Sequence, residues 1–258
     1  MQKVSILGCG WLGKPLAISF LSRGFSVKGS TKTEDKLTFL RKENINPFLV
    51  DISQQEISAE FLESDILISA ITSKSEDDFA RLISKIEQSK IKKVIFISST
   101  SVYPSLNKIM TEADETDNHP LVIIENLFRK NTHFETTIIR FSGLFGGERH
   151  PAIWFQKGRK IPQPNGFVNM IHLEDCIAII EKIIAQNCFG ETFNACSNHH
   201  PTRKDFYENA RKSKGFEPPF FEENEVLNWK IISSEKLQKT LNYQFLVDDL
   251  LWDSEFKI

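Results

Sequence analysis

The chain contains no long hydrophobic run. Its apolar stretches are broken by Lys, Arg or Gly within about ten residues, short of the roughly 18 that a membrane span needs. Cysteine is sparse: Cys9, Cys176, Cys188 and Cys196 show neither CxxC spacing nor the density of a disulfide scaffold, so reduced, mostly buried thiols and a cytoplasmic setting are expected. No charge of one sign dominates. The formal net charge is −2 and the basic residues fall in short scattered groups such as Arg203-Lys204 and Lys212-Lys214, so neither nucleic acid nor a membrane is an expected partner. There is no GxSxG elbow, which excludes the usual Ser-His-Asp hydrolase. His199 and His200 are adjacent and would point apart on a strand, with no Cys or acid following at ligand spacing, so no metal site is expected. Ile6-Leu7-Gly8-Cys9 resembles a lipoprotein processing site, yet a signal needs a basic region and about 7–15 apolar residues before the cleavage point, so that reading is rejected.

What is present begins at once. Residues 4–7 are apolar and rich in β-branched side chains, and they read as a buried strand. Residues 11–22 carry an apolar pattern of helical length, with Pro15 tolerated if it lies in the first turn. Between them Gly8, Gly10 and Gly13 form GxGxxG. Gly8 would permit a tight turn, Gly10 would let the backbone approach a pyrophosphate, and Gly13 would allow close packing of helix on strand. The helix N-terminus would then supply N–H donors to the phosphates. The alternative is a glycine turn with no ligand. A second strand, 26–29, ends in Gly29-Ser30-Thr31-Lys32, with no acid until Glu34 to bond a ribose 2′-hydroxyl. The hydroxyls of Ser30 and Thr31 followed by the Lys32 cation suit a 2′-phosphate, which favours NADP with NAD possible; alternatively Lys32 only opens a solvated helix.

Further strands are predicted over 46–52, 65–71, 92–99 and 136–146, with helices over 77–88 and 120–130, the latter presenting Ile123, Ile124, Leu127 and Phe128 on one face. This alternation implies an α/β protein of Rossmann type, a doubly wound parallel sheet. GCGWLG (8–13), ISSTSVY (97–103), RFSGLFG (140–146) and VNMIHLEDC (168–176), in that order, resemble the extended and atypical short-chain dehydrogenase/reductase superfamily, also called NAD-dependent epimerase/dehydratase. GWLGKPLA, SSTSVY, GERHP (147–151) and HLED narrow the resemblance to a short bacterial branch. The resemblance implies that Gly8, Gly10, Trp11, Leu12 and Gly13 form the pyrophosphate loop. It places Asp51 and Ile52 at the adenine, Ala70 and Ile71 along the cofactor, and Ser99 as the catalytic hydroxyl four positions before Tyr103.

Tyrosine is the telling scarcity. The family's chemistry depends on a YxxxK helix, and the three tyrosines here, Tyr103, Tyr207 and Tyr243, are followed four residues on by Asn107, Arg211 and Val247. Anchoring the helix on Glu125 puts Asp117 and Leu121 where Tyr and Lys would fall. Tyr103 is therefore read as structural, and Ser99 as either a substrate hydrogen-bonding group or a strand-end hydroxyl. The resemblance further implies a core over 1–145, completed by about 167–196, with 146–166 and 197–258 as a small substrate-binding lobe. Residues 170–184 would return a strand and a helix to the core. In the lobe Arg149 and His150 follow a glycine pair, and Arg suits bidentate binding of carboxylate or phosphate; an exposed loop is the alternative. His172 and Asn169 are weaker candidates, since a histidine ending a buried strand is more often a core residue, and Glu174-Asp175 is expected to cap the helix that follows. Two functions remain open: an NAD(P)-dependent oxidoreductase or epimerase/dehydratase-type enzyme with a non-standard acid/base, acting on a small molecule as a monomer or homodimer, or a non-catalytic NADP(H)-binding regulatory or sensor protein.

Overall fold

The computed structural model of the chain describes residues 1–223 and 226–251; the remainder of the expected lobe, 224–225 and 252–258, lies outside the described residues. Strands and helices alternate from the first residues: β1 (Lys3–Leu7), α1 (Gly13–Ser22), β2 (Ser26–Thr31), α2 (Asp35–Lys42), β3 (Asn46–Leu49), β4 (Ile66–Ser69), α3 (Glu76–Glu87) and β5 (Lys93–Ser99). There follow β6 (Lys108–Met110), α4 (Pro120–Arg129), β7 (Glu135–Phe141), β8 (Gly143–Phe145), β9 (Met170–His172), α5 (Leu173–Ala185), β10 (Thr192–Ala195), α6 (Arg203–Lys212), β11 (Lys230–Ile232) and α7 (Glu235–Leu241).

Seven strands form one sheet in the order β10-β7-β5-β4-β1-β2-β3. β1 pairs in parallel with β2 and β4, β2 with β3, and β4 with β5, which is the Rossmann-type α/β arrangement expected. After β3 the chain crosses back to the other side of β1, so the loops leaving the C-terminal ends of β1 and β4 diverge and open a crevice. Both faces of the sheet are covered, and β4 accordingly buries all four of its residues.

α3 starts where Ser75 accepts the N–H of Asp78 at 3.3 Å, and it turns Phe79, Leu82, Ile83 and Ile86 inward at helical spacing. Phe79 meets Phe96 edge-on at 5.5 Å, and Phe96 stacks on Phe128 at 4.9 Å. α4 is rotated from the expected face: Ile124, Glu125 and Phe128 are buried while Ile123 is 38% exposed. Periodicity counts only apolar residues and so passed over Glu125. Its carboxylate sits in the core because it accepts from Ser98 Oγ (2.6 Å, β5) and from Arg140 Nε (3.0 Å) and Nη2 (2.5 Å, β7).

By packing, the chain divides into two compact units. One comprises Met1–Val102, Asn118–Arg140 and Ile177–Thr192; the other comprises Tyr103–Asp117, Phe141–Cys176 and Phe193–Ile258. The second has its own apolar centre, built from Phe145, Ile161, Met170, Phe206, Val247 and Leu250 among others. Two small parallel ladders belong to it, β8 with β9 and β6 with β11.

Several expected bounds change. The single strand over 136–146 breaks into β7 and β8, because Ser142 N–H bonds Ala195 O at 3.0 Å while the next N–H, of Gly143, bonds Asn169 O at 2.9 Å. A Cβ on Gly143 would lie 2.5 Å from Met170 Sδ and 3.1 Å from Asn169 O, so the crossing is close at this point. Hydrophobicity runs through the break and hides it. For the same reason residues 170–172, expected to return a strand to the core sheet, pair with β8 instead. The first helix begins at Gly13 rather than 11, with Pro15 in its first turn, and β3 ends at Leu49.

Glu125→Ala removes the carboxylate that pairs with the buried Arg140 guanidinium and is expected to cost about 3–5 kcal/mol in urea unfolding. Ser98→Ala, which removes one hydrogen bond from the same carboxylate, should cost about 1–2 kcal/mol.

Candidate functional site

The loop between β1 and α1 is fixed by its glycines from two directions. Gly8 has φ +96°, and a Cβ there would lie 2.6 Å from Ile71 Cγ2 and 3.0 Å from Ala70 O. At Gly13 a Cβ would lie 2.1 Å from Gly8 O, so the helix rests directly on the loop's backbone. Gly10 differs: it is exposed, and a Cβ there would meet no protein atom within 4 Å. Packing therefore accounts for Gly8 and Gly13, and the space over Gly10 is left open. Such a cradle, bare of side chain at the helix start, fits a pyrophosphate. α1 matches it, since no side chain caps its N-terminus and its first turn carries no acid.

β2 locks the loop from the side. Gly8 N–H donates to Ser30 Oγ at 2.9 Å and Cys9 N–H donates to Ser30 O at 2.8 Å. Gly29 makes room, because a Cβ there would lie 2.6 Å from Cys9 Sγ. Burial pushes the Cys9 thiol up to about 12, which keeps it neutral. The buried Ser30 hydroxyl thus holds the loop itself, a positioning role the sequence reading did not assign. Its signal is the small pair Gly29-Ser30 ending a strand.

Beyond Ser30, Thr31 Oγ1 accepts the N–H of Thr33 at 3.3 Å, and Lys32 Nζ lies 2.9 Å from Asp51 Oδ1. The Lys32 hydrogen bond and those from Ser53 hold the Asp51 carboxyl below the usual range. Val50 N–H bonds Thr31 O at 2.9 Å, and this strand pairing brings Asp51 beside Lys32. The acid missing from the end of β2 arrives from the end of β3. Ile52 is buried beneath it, while Ala70 and Ile71 are half-buried against Gly8, with Ala70 N–H on Leu7 O at 2.9 Å. Trp11 is half-buried and Leu12 buried. Ser99 ends β5, half-buried, its Oγ accepting the N–H of Ser101 at 3.1 Å.

In the second unit, Arg149 is exposed in a tight turn where Gly146 and Arg149 exchange both backbone hydrogen bonds at 3.1 Å, with φ +102° at Gly146 and +54° at Gly147. His150 is buried, and its Nδ1 accepts the N–H of Ala152 at 3.2 Å; burial, with Lys214 adding to it, brings the imidazole down to about 4. His172 Nδ1 accepts the N–H of Glu174 at 3.3 Å and its ring lies 5.1 Å from that of Phe145. His172, not Glu174-Asp175, therefore caps α5. Asp175 is occupied elsewhere, accepting from Tyr243 OH (2.6 Å), Leu246 N (2.7 Å) and Val247 N (3.1 Å), so it ties the distant 243–247 segment to the helix start. Asn169 clips β11, donating to Lys230 O at 2.9 Å and accepting from Ile232 N at 2.8 Å.

Tyr103 is buried and its hydroxyl donates to Asn194 Oδ1 at 2.9 Å, a structural bond that leaves no phenol proton facing solvent. Lys230 Nζ donates to Tyr103 O, and burial pulls this lysine's pKa down while nearby Asp117 opposes the shift. Asp117 is thus accompanied by a lysine from β11. Nothing local in the sequence couples these distant stretches. Among the described residues, no group of three or more His, Cys, Asp or Glu is placed to hold a metal ion, and no helix is long and apolar enough to cross a membrane.

The sequence profile of the NAD(P)H-binding family matches residues 8–166, which includes the loop, β2, β3 and Ser99. Protein YeeZ of Escherichia coli strain K12 is 30% identical, over 97% of this chain and 98% of its own. Among solved structures, a conserved protein of unknown function from Silicibacter pomeroyi superposes with TM-score 0.83 at 17% identity, covering 97% of this chain and 95% of that one. UDP-glucuronic acid 4-epimerase from Bacillus cereus, in complex with NAD, gives TM-score 0.80 at 18% identity, covering 96% and 95%.

Gly13→Ala should lower stability by about 2–3 kcal/mol, since helix and loop must separate to admit the methyl, whereas Gly10→Ala should unfold with the wild type. Chemical denaturation of the two variants checks the pair. The neutral, capping His150 makes stability depend on pH. Its folded pKa lies below the unfolded value near 6.5, so its contribution is complete above pH 6.5 and is lost as pH falls toward 4, by up to about 3 kcal/mol. His150→Asn keeps an acceptor for Ala152 N–H, and its denaturant midpoint should fall less steeply over that window.

Proposed function

We propose, from the premise that this chain belongs to the extended short-chain dehydrogenase/reductase family and to its YeeZ-like branch, that it is an NADP(H)-preferring enzyme. It would act on a small anionic or sugar-nucleotide-like substrate as an oxidoreductase or epimerase/dehydratase. The observation that carries the reading is the glycine cradle, in which packing explains Gly8 and Gly13 while Gly10 faces open space. Gly8, Gly10, Trp11, Leu12 and Gly13 would hold the pyrophosphate with α1's N–H groups. Ser30 fixes the loop, Thr31 and Lys32 face the ribose 2′ position, and Asp51, Ile52, Ala70 and Ile71 flank the adenosine side. When bound, the dinucleotide supplies hydride transfer. Ser99 would hydrogen-bond a substrate oxygen. Arg149, with His150, Asn169 and His172 shaping the second unit, would bind an anionic group. Four free cysteines are consistent with a reducing, cytoplasmic compartment, and the protein would work as a monomer or homodimer.

A second reading is a non-catalytic NADP(H) sensor. The observation in its favour is Tyr103, whose phenol is buried on Asn194, together with the absence of YxxxK. Such a protein would bind the nucleotide and turn nothing over.

Calorimetric titration of nucleotide-free protein is expected to give micromolar binding, about −8 kcal/mol, with NADPH ahead of NADH. Gly10→Val should keep its thermal midpoint yet lose affinity by about a hundredfold; unchanged affinity would overturn the cradle. In a substrate screen begun with nucleotide sugars, Ser99→Ala and Arg149→Ala should lose turnover while retaining NADPH affinity. Unchanged turnover in both would remove the site assignment, and cofactor binding without turnover across the screen would favour the sensor.

A further inference from the structure

Residues 157–160 and 211–216 hold six cations, Lys157, Arg159, Lys160, Arg211, Lys212 and Lys214, and no acid, in a chain whose net charge is −2. The second unit gathers them. Lys157 and Arg211 line one groove of about 280 Å³ with Phe155, Phe216, Pro218 and Phe220. The wall of that groove over 216–222 is pinned along its length. Phe216 N–H donates to Arg211 O at 3.0 Å, Arg211 Nε to Glu217 O, Ile161 N–H to Phe220 O at 2.8 Å and Glu222 N–H to Ile161 O at 2.9 Å. Pro218 and Pro219 stiffen it further. Arg211 Nη1 also donates to Ala152 O at 3.3 Å, and the guanidinium lies 5.5 Å from the centre of the Phe216 ring. Carbonyls and a ring thus orient this cation, and those contacts leave its charge uncancelled. Yet the fixed wall turns its rings outward, Phe216 43% and Phe220 65% exposed. Exposed rings beside arginine on a rigid backbone have the composition of a protein interface.

Past Phe216 and Pro218, which line both, a second groove of about 650 Å³ follows α6. Asp205, Glu208 and Lys212 line it from one stripe of the helix, with about 10 Å of helix axis between the first and the last. The two grooves together therefore change sign, from carboxylates beside the first turns of α6 to cations past its end. A phosphate backbone or an anionic lipid surface carries one sign throughout, and the carboxylates would repel it. An extended peptide advances about 3.3 Å per residue, so roughly six residues follow both grooves, and its two ends can carry opposite charges. We propose that the double groove is a docking site for an extended segment of a partner protein. The segment places an acidic residue at Lys157 and Arg211, an apolar residue across Phe216 and Pro218, and a basic residue at Asp205 and Glu208. The site uses none of the cradle residues and is independent of the nucleotide reading.

The test is fluorescence anisotropy of the whole protein with three labelled hexapeptides, Glu-Glu-Phe-Leu-Lys-Lys, Glu-Glu-Phe-Leu-Glu-Glu and Lys-Lys-Phe-Leu-Lys-Lys, at low and at high salt. The mixed peptide should bind about fivefold more tightly than either single-sign peptide at low salt, with a smaller margin at high salt. Lys157→Glu and Glu208→Lys should each weaken the mixed peptide about fivefold and Phe216→Ala about tenfold, with thermal midpoints establishing that each variant is folded. Lys157→Glu should also bind Lys-Lys-Phe-Leu-Lys-Lys more tightly than wild type does, a gain that a damaged fold does not produce. Equal affinity for the three peptides, or a mixed-peptide affinity unchanged in both charge variants, would overturn the docking site. Tighter binding of a short oligo-dT or of phosphatidylglycerol vesicles than of the mixed peptide, weakened by Lys157→Glu, would give the cations to a nucleic acid or a membrane and overturn the peptide as occupant.

Discussion

At Gly13 the backbone of α1 rests on the carbonyl of Gly8, with no space for even a methyl group between them. The rest of the nucleotide side follows from that contact. It holds the helix start over the end of β1 and forces the connecting loop into a tight turn that Gly8 can adopt. Ser30 completes the arrangement by bonding Gly8 and Cys9 from β2, so the loop is braced by β1, α1 and β2 together. A loop fixed in this way loses little freedom on meeting a ligand, which is the physical content of preorganisation.

Several polar groups of the interior are paired across the fold. Glu125 joins α4 to β5 and β7 through Ser98 and Arg140, setting the helix's rotation about its axis at the cost of turning Ile123 to the surface. His119, His150 and His172 each accept an N–H two residues on through Nδ1, at the start of a helical turn. Asp175 collects three donors and pins the 243–247 segment. Such groups look like catalytic candidates in a one-dimensional reading because chemistry and scaffolding draw on the same side chains. Their hydrogen bonds separate the two uses, since a ring nitrogen already accepting a backbone N–H at a helix start has a structural task to perform.

The departure from the family's acid/base pair also takes physical form. The Tyr103 phenol is buried on Asn194, and Asp117 is accompanied by Lys230. An aspartate beside a half-buried lysine is a different proton environment from a phenol beside a lysine. The lysine is drawn toward neutrality by burial and back toward charge by the acid.

The sequence by itself determined the architecture and the cradle. Alternating apolar strands and amphipathic helices are local patterns with local causes, and so are GxGxxG, Pro15 in a first turn and the absence of YxxxK. Tertiary structure alone decided what depends on residues far apart in the chain. Asp51 reaches Lys32 only because β3 lies beside β2. The 136–146 run divides because successive N–H groups at Ser142 and Gly143 find different strands, and α4 turns because Arg140 neutralises Glu125. His172 rather than Asp175 caps α5 because a segment some 70 residues away claims the carboxylate. In each case the deciding term is a hydrogen bond or charge pair closed across the fold, and no periodicity or spacing along the chain records which partner will arrive.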